Sequence, residues 1–288
     1  MAYNKGNGPK EVMMSNVPIW KLNNGLEIPS LGFGVFKVDP GNEVVDAVKE
    51  ALSTGYRLID TATAYRNEEG VGQAIKESGV PREDIFLTTK VWNTHQGFDS
   101  TLAACERSLK RLQTDYLDLY LIHWAVPGKY VETYKALEKL YKEGKVKAIG
   151  VCNFQIHHLE DILRECEVVP AVNQIELHPL MNQKELRDYC KEKGIQVEAW
   201  GPIMQGKVDL EQEPFLSIGK KYGKSPAQVI LRWHHQNDVL IIPKSVTPSR
   251  IRENFELFDF ELTDEEMKQI DGFNQDKRLG ADPDNFDF

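Results

Sequence analysis

Between about residue 30 and residue 255, short apolar runs alternate with longer amphipathic ones, and few folds accommodate that order. Eight runs read as strands: Leu31 to Phe33, Leu58-Ile59, Ile85 to Thr89, Leu117 to Ile122, Ala148 to Cys152, Ala171 to Ile175, Gln196 to Ala199 and Val239 to Ile242. They lack clean period-2 alternation, as parallel strands covered on both faces do. The intervening segments are helical in period. Leu102, Cys105, Leu109 and Leu112 paint one apolar stripe, and Tyr134, Leu137, Leu140 and Tyr141 paint another that stops before Gly144. Ser225-Pro226 reads as a cap followed by proline in the first turn, and Thr263 to Glu266 as the capping box of a last helix. No stretch rich in Pro, Gly or Ser splits the chain, and 288 residues suit a single barrel, typically about 250 residues long. The expectation is an α/β fold, a closed (β/α)8 barrel of the TIM type.

Ahead of the first strand, Ile19 to Leu22, Asn23-Asn24-Gly25 and Leu26 to Ile28 read as a hairpin around an Asn-Gly turn, placed to plug the barrel bottom. Residues 1–17 are expected to be a loosely ordered extension and residues 18–288 the barrel, because the first fifteen or so residues are polar and without period.

Composition narrows the function classes. With 41% hydrophobic and 27% charged residues the chain is ordinary for a globular protein, and no run reaches the 18 or so apolar residues of a membrane span. Its net charge of −9, without a segregated basic block, disfavours a nucleic-acid partner. Cys105, Cys152, Cys166 and Cys190 show no CxxC spacing and read as reduced, mostly buried thiols. The start, Met1 to Lys10, lacks the apolar stretch of a secretory signal, so the expected location is the cytoplasm.

In such a barrel the chemistry lies where the strands end at their carboxyl side. The second strand ends in Asp60, with Tyr65 five residues on; the third ends in Lys90, the fourth in His123, the fifth in Cys152-Asn153. The sixth carries Asn173, Gln174 and Glu176, the seventh ends in Trp200, and the eighth runs through Pro243 into Lys244-Ser245. Singly these residues fit turns, caps or packing. Together, a phenol, an ammonium, a carboxylate and an imidazole at one mouth form a proton donor with its own means of lowering a phenol pKa of about 10.

These residues carry a family resemblance. Ile59-Asp60-Thr61-Ala62 with Tyr65-Arg66-Asn67-Glu68, Thr89-Lys90-Val91-Trp92, Leu121-Ile122-His123-Trp124, Gly150 to Phe154 and Ile242-Pro243-Lys244-Ser245 resemble, in order and spacing, the signatures of the aldo-keto reductases. The likeness covers nearly the whole chain after residue 17. It implies reduction of aldehydes and ketones with a nicotinamide cofactor, Tyr65 acting as acid and Asp60, Lys90 and His123 supporting it. The same resemblance assigns Asn153 and Gln174 to the nicotinamide carboxamide, Trp200 to its ring, and Lys244, Ser245, Arg250 and Asn254 to the adenosine end. Val35, Asp60, Cys152, Gly201, Pro202, Ile203, Val246, Thr247 and Glu253 complete the implied cofactor contacts. A lysine and an arginine suit a 2′-phosphate, so NADPH is the expected cofactor. Phe36, Trp92, His123 and Trp124 are expected to wall the substrate pocket rather than serve as ordinary packing.

Three positions depart from the family pattern: Cys152 and Gly201 stand where serine is usual, and Ala125 replaces a proline after Trp124. Short connections, Trp124 to Tyr130 and Gly272 to Phe288, leave little chain for a large lid. That resembles the compact bacterial branch of glyoxal, methylglyoxal and diketogluconate reductases, and implies small dicarbonyls, aromatic aldehydes or ketoesters as substrates and a monomeric enzyme.

Gly70-Val71-Gly72 superficially resembles a dinucleotide fingerprint but does not follow a strand. His157-His158 and His234-His235 read as solvated or core histidines on helices, where neighbouring side chains diverge, and no metal is expected. A metal-dependent barrel hydrolase would draw on Asp60, His123, Glu176 and His178, with Lys90 as a repelling charge among them. A non-catalytic cofactor-binding module is the other rival, and the intact Asp60, Tyr65, Lys90 and His123 set argues against it.

Overall fold

The computed structural model describes residues 16–288. The expected loose extension therefore lies outside the described residues except for Asn16 and Val17, and Val17 is buried in the core. A two-stranded antiparallel hairpin, β1 (Ile19–Lys21) and β2 (Glu27–Pro29), precedes eight parallel strands: β3 (Phe33–Gly34), β4 (Leu58–Asp60), β5 (Phe86–Val91), β6 (Leu119–Ile122), β7 (Ile149–Cys152), β8 (Val172–Glu176), β9 (Gln196–Trp200) and β10 (Leu240–Ile241). Neighbours in sequence are neighbours in the sheet. The ends meet where Leu31 bridges Ile241 in parallel and the Gly32 N–H donates to the Ile241 carbonyl at 2.8 Å, which closes the barrel. The first expected strand is thus shifted to Phe33–Gly34, with Leu31 making the closing bridge, and the third runs on through Lys90 to Val91.

Around the barrel lie α1 (Asn42–Thr54), α2 (Glu68–Ser78), α3 (Phe98–Leu112), α4 (Tyr130–Lys142), α5 (Ile156–Glu165), α6 (Lys184–Glu192), α7 (Phe215–Tyr222), α8 (Pro226–Gln236), α9 (Pro248–Glu253) and α10 (Asp264–Asp271). Among the described residues no helix is long and apolar enough to cross a membrane. The expected capping box Thr263/Glu266 opens α10, and the expected cap Ser225, followed by Pro226, opens α8 as part of a capping box with Gln228.

Two apolar layers explain the missing alternation. Ile59, Leu87, Tyr120, Val151 and Ile175 face the helices, while Leu58, Phe86, Leu119, Leu121 and Leu240 fill the barrel, so β4 to β8 are buried on both faces. Leu22 and Ile28 of the hairpin region, with Trp20 and Leu26 against them, join the inner cluster and close the bottom. The turn is tied down where Asn23 Nδ2 donates to the Pro170 carbonyl and Asn24 Nδ2 to the Lys147 carbonyl, each at 3.0 Å. Each fully buried Leu or Ile contributes about 1.5–3 kcal/mol, so the two apolar layers supply stability while the top stays free for polar groups.

Gly70 and Gly72 lie inside α2 and have a packing role. A Cβ on Gly70 would sit 2.3 Å from a Val44 methyl of α1, and one on Gly72 would sit 2.5 Å from the Leu112 carbonyl oxygen. The apparent fingerprint is a helix–helix contact.

Candidate active site

Apolar filling gives way to polar side chains at the carboxyl ends of the strands. Asp60 ends β4, and the chain then makes a single 3-10 turn, Thr63–Tyr65, that swings the phenol back over the barrel mouth. Lys90, in β5, is fully buried. Its Nζ donates to Asp60 Oδ1 at 2.7 Å, to the Thr61 carbonyl at 3.0 Å and to Tyr65 Oη at 3.2 Å. All three ammonium hydrogens are committed. Burial by itself would lower the Lys90 pKa, but Asp60 and Tyr65 outweigh it and hold the ammonium charged well above the usual lysine range. Burial raises the Tyr65 phenol above its ordinary value, Lys90 opposes that rise and Asp60 adds to it.

His123 follows β6, with its ring edge-on to Tyr65 at 5.7 Å and to Trp92 at 5.2 Å. Burial first, and Lys90 second, hold its pKa well below the usual imidazole value, so it is neutral near pH 7. Asn153, just past β7, has a left-handed φ of 61°, a conformation asparagine tolerates. Its amide is fixed on both sides: Oδ1 accepts from Trp200 Nε1 at 2.8 Å and Nδ2 donates to the His123 carbonyl at 3.0 Å. Gln174, in β8, donates through Nε2 to Asp60 Oδ2 at 2.8 Å and to Glu198 Oε1 at 2.5 Å. Its Oε1 is left with only a weak contact from the Cys152 thiol at 3.7 Å. Burial pushes that thiol's pKa up, so Cys152 is an inert neutral group.

These residues share a cleft of about 1280 Å³, room for a dinucleotide and a small second molecule. Asp60, Tyr65, His123, Cys152, Asn153, Gln174 and Trp200 to Ile203 line its inner part; Lys244, Ser245, Arg250, Glu253 and Asn254 line the far end. Lys90 sits beneath the lining. Three expected residues are not brought to the cleft: Val35 is fully buried beside it, and Val246 and Thr247 are exposed outside its lining. Phe36, Trp92 and Trp124 form the aromatic end, Phe36 lying 5.1 Å from Tyr65.

The sequence reading missed the tail. Phe288 lines the cleft, stacked on Trp92 at 5.9 Å and edge-on to Trp124 at 5.2 Å, with its carbonyl accepting from Asn93 Nδ2 at 2.9 Å. The tail is anchored at Glu176, which accepts from the Leu279 N–H at 2.5 Å, the Gly280 N–H at 3.1 Å and His178 at 2.9 Å. A short tail thus covers the pocket without forming a large lid, and Glu176 and His178 are turned to that task, away from Asp60 and His123. Nothing in the local sequence signals this contact, because it joins residues over 100 positions apart.

His157 and His158 do not diverge as expected; their rings lie 4.0 Å apart, both against Asp284. His158 Nδ1 accepts the Gln155 N–H at 3.1 Å as the cap of α5, and its Nε2 lies 3.6 Å from Asp284. His234 is a core histidine bonded to the Pro202 carbonyl at 3.0 Å.

A barrel whose mouth holds an ammonium against a phenol is built for acid–base chemistry. Residues 30–275 match the Aldo/keto reductase family, and the chain belongs to it; it is an oxidoreductase of that family. It is similar to the glyoxal reductase of Bacillus subtilis (strain 168), 59% identical over 93% of this chain and 97% of the relative. It is 50% identical to the methylglyoxal reductase DkgA of Escherichia coli (strain K12), over 95% of this chain and 99% of that one. Among solved structures, a variant of Gox0644 in complex with NADPH superposes with a TM-score of 0.90 at 46% identity, covering 94% of this chain and 99% of the other.

Proposed function

We propose that the protein reduces small aldehydes and ketones to alcohols with NADPH, with Tyr65 donating the proton. The observation that carries this reading is the set of three Lys90 donations, to Asp60, Thr61 and the Tyr65 oxygen. A phenol oxygen that accepts from an ammonium has its own hydrogen left for an acceptor in the cleft. As a carbonyl oxygen takes that hydrogen, the phenolate forms beside a positive charge that favours it. The hydride for the carbonyl carbon would come from NADPH held in the cleft. Hydride and proton together complete the alcohol, and the phenolate regains its proton from water. Neutral His123 adds a hydrogen-bonding edge beside the phenol without a competing charge.

The residues present fit the cofactor. Gln174 has both amide hydrogens turned inward and its oxygen free for a carboxamide NH2, with Asn153 alongside and Trp200 available for stacking. Lys244 and Arg250 are exposed at the far end and form no ion pair among the described residues, which suits a 2′-phosphate dianion. Ser245 and Asn254 lie beside them for the adenosine. The aromatic wall of Phe36, Trp92 and Trp124 favours small dicarbonyls such as glyoxal or methylglyoxal, aromatic aldehydes and ketoesters, and the names of the glyoxal and methylglyoxal reductases support that choice. We take residues 18–288 as one domain acting as a monomer in the cytoplasm, without a nucleic-acid or membrane partner.

Following NADPH absorbance with a panel of these carbonyls tests the reading. Tyr65→Phe is expected to keep NADPH affinity and to lower kcat by roughly 10²–10⁴-fold. Near-normal turnover in that variant would remove Tyr65 from the role, and NADPH binding without turnover of any carbonyl would make the chain a non-catalytic cofactor-binding module.

A further inference from the structure

Glu198 has no part in the proposed proton transfer, yet it lies directly beneath the site. On β9 its neighbours Val197 and Ala199 face the helices, and Glu198 points into the barrel, where it is fully buried. Its Oε1 accepts from Gln174 Nε2 at 2.5 Å, and the same nitrogen donates to Asp60 Oδ2 at 2.8 Å. A continuous chain therefore runs Tyr65, Lys90, Asp60, Gln174, Glu198. The other oxygen, Oε2, is enclosed and has no partner among the described residues. An ionised carboxylate with one oxygen so placed is costly, and a neutral acid carrying its hydrogen there costs far less, the desolvation of one unpaired hydroxyl rather than of a charge.

We infer that Glu198 is a positioning residue for the reduction: as the neutral acid it holds the Gln174 amide with its oxygen turned to the cleft, and on losing its proton it adds a second negative charge beneath the Asp60–Lys90 pair. The inference rests on the reduction reading and assigns to it a residue that does not touch the reacting atoms.

The surroundings agree. Burial is the main force pushing the Glu198 pKa up, to about 8; Asp60 on β4 adds to it, while the Gln174 bond and Lys90 on β5 oppose it. Cys152 on β7 is a neutral thiol, and the register partner across β10 is the apolar Leu240. A charge that appears on Glu198 is felt along the chain. It disfavours the Tyr65 phenolate, so proton donation slows as Glu198 ionises. The amide bond to Gln174 survives ionisation, since a carboxylate is the better acceptor, and cofactor affinity is not expected to change with it.

Glu198→Gln keeps an acceptor for Gln174 and cannot titrate; Glu198→Leu removes the acceptor. In the parent, kcat for methylglyoxal should turn down through about pH 8, and in Glu198→Gln that downturn should disappear while KM for the aldehyde stays level across the same range. The shape of the profile is the readout, not its height. Glu198→Leu should weaken NADPH binding about 2- to 13-fold, the loss of one hydrogen bond. A readout without cofactor comes from thermal melting of both proteins against pH. The native parent holds a proton that the unfolded chain, with its glutamate near 4.3, has released, so parent stability relative to Glu198→Gln should fall steadily from about pH 5 to 8. A flat difference over that window, or a kcat downturn that persists in Glu198→Gln, overturns the assignment, as does unchanged NADPH affinity in a folded Glu198→Leu. If no carbonyl is turned over at all, the reduction reading fails by itself, and the melting difference and NADPH affinities still decide the role of Glu198.

Discussion

Arg250 lies on α9 and Lys244 just past β10, and neither charge is neutralised by a neighbouring carboxylate among the described residues. If both grip one 2′-phosphate, Arg250→Ala should raise the NADPH dissociation constant roughly 10- to 150-fold, the 1.5–3 kcal/mol of a charged hydrogen bond, and leave NADH nearly unaffected. Titrating both cofactors by fluorescence decides it, because an equal loss for the two would assign Arg250 to the fold or the adenine. At this scale the sequence was readable where a functional group ends or closely follows an apolar run, as Asp60, Lys90 and His123 do, with Tyr65 five residues beyond Asp60. It was silent where the group lies inside a run or far along the chain. Glu198 sits within the seventh strand, and local pattern cannot say that it bonds Gln174; Phe288 reaches Trp92 only through the folded tail.

Helices were legible from their caps and stripes, and less so from their contacts. Cys105, Leu109 and Leu112 of α3 are buried as the stripe predicts, but the reason for glycine at position 72 appears only when α2 meets α3. A Cβ there would lie 2.5–2.8 Å from three backbone atoms of Leu112, which cannot rotate away. Gly72→Ala gains about 1 kcal/mol of helix propensity, yet it should destabilise the protein by about 1–3 kcal/mol net as the helices are forced apart. Urea unfolding measures this directly, and a variant more stable than the parent would refute the close contact. Gly280 is the tail's counterpart: a Cβ there would sit 2.4 Å from the Trp200 indole, so this glycine lets the tail lie against the ring assigned to nicotinamide stacking.

The molecule as a whole keeps its packed histidines neutral. Burial lowers the pKa of His234 to about 3, and of His158 and His235 to about 4, below the 6.5 or so of an unfolded chain. The unfolded state then binds more protons below pH 6.5, so the stability these groups allow is fully present above 6.5 and is lost as pH falls toward 4. In Glu198→Gln, where the opposing Glu198 titration is absent, melting temperature should drop across that window by about 2–4 °C for each kcal/mol lost, and a flat curve from pH 6.5 to 4.5 would mean that the imidazoles are not held neutral. The sequence by itself determined the barrel, its plugged bottom and the four groups at its mouth, because strand order, burial on both faces and strand-end position are all written in local hydrophobic pattern. Tertiary structure alone decided the ring closure through Leu31, the Glu176 anchor that draws the tail over Trp92 and Trp124, and the buried chain from Tyr65 to Glu198. The physical reason is common to all three: each joins groups far apart in the chain, and which of them meet follows from strand stagger, curvature and the path of the tail, which no window of neighbouring residues encodes.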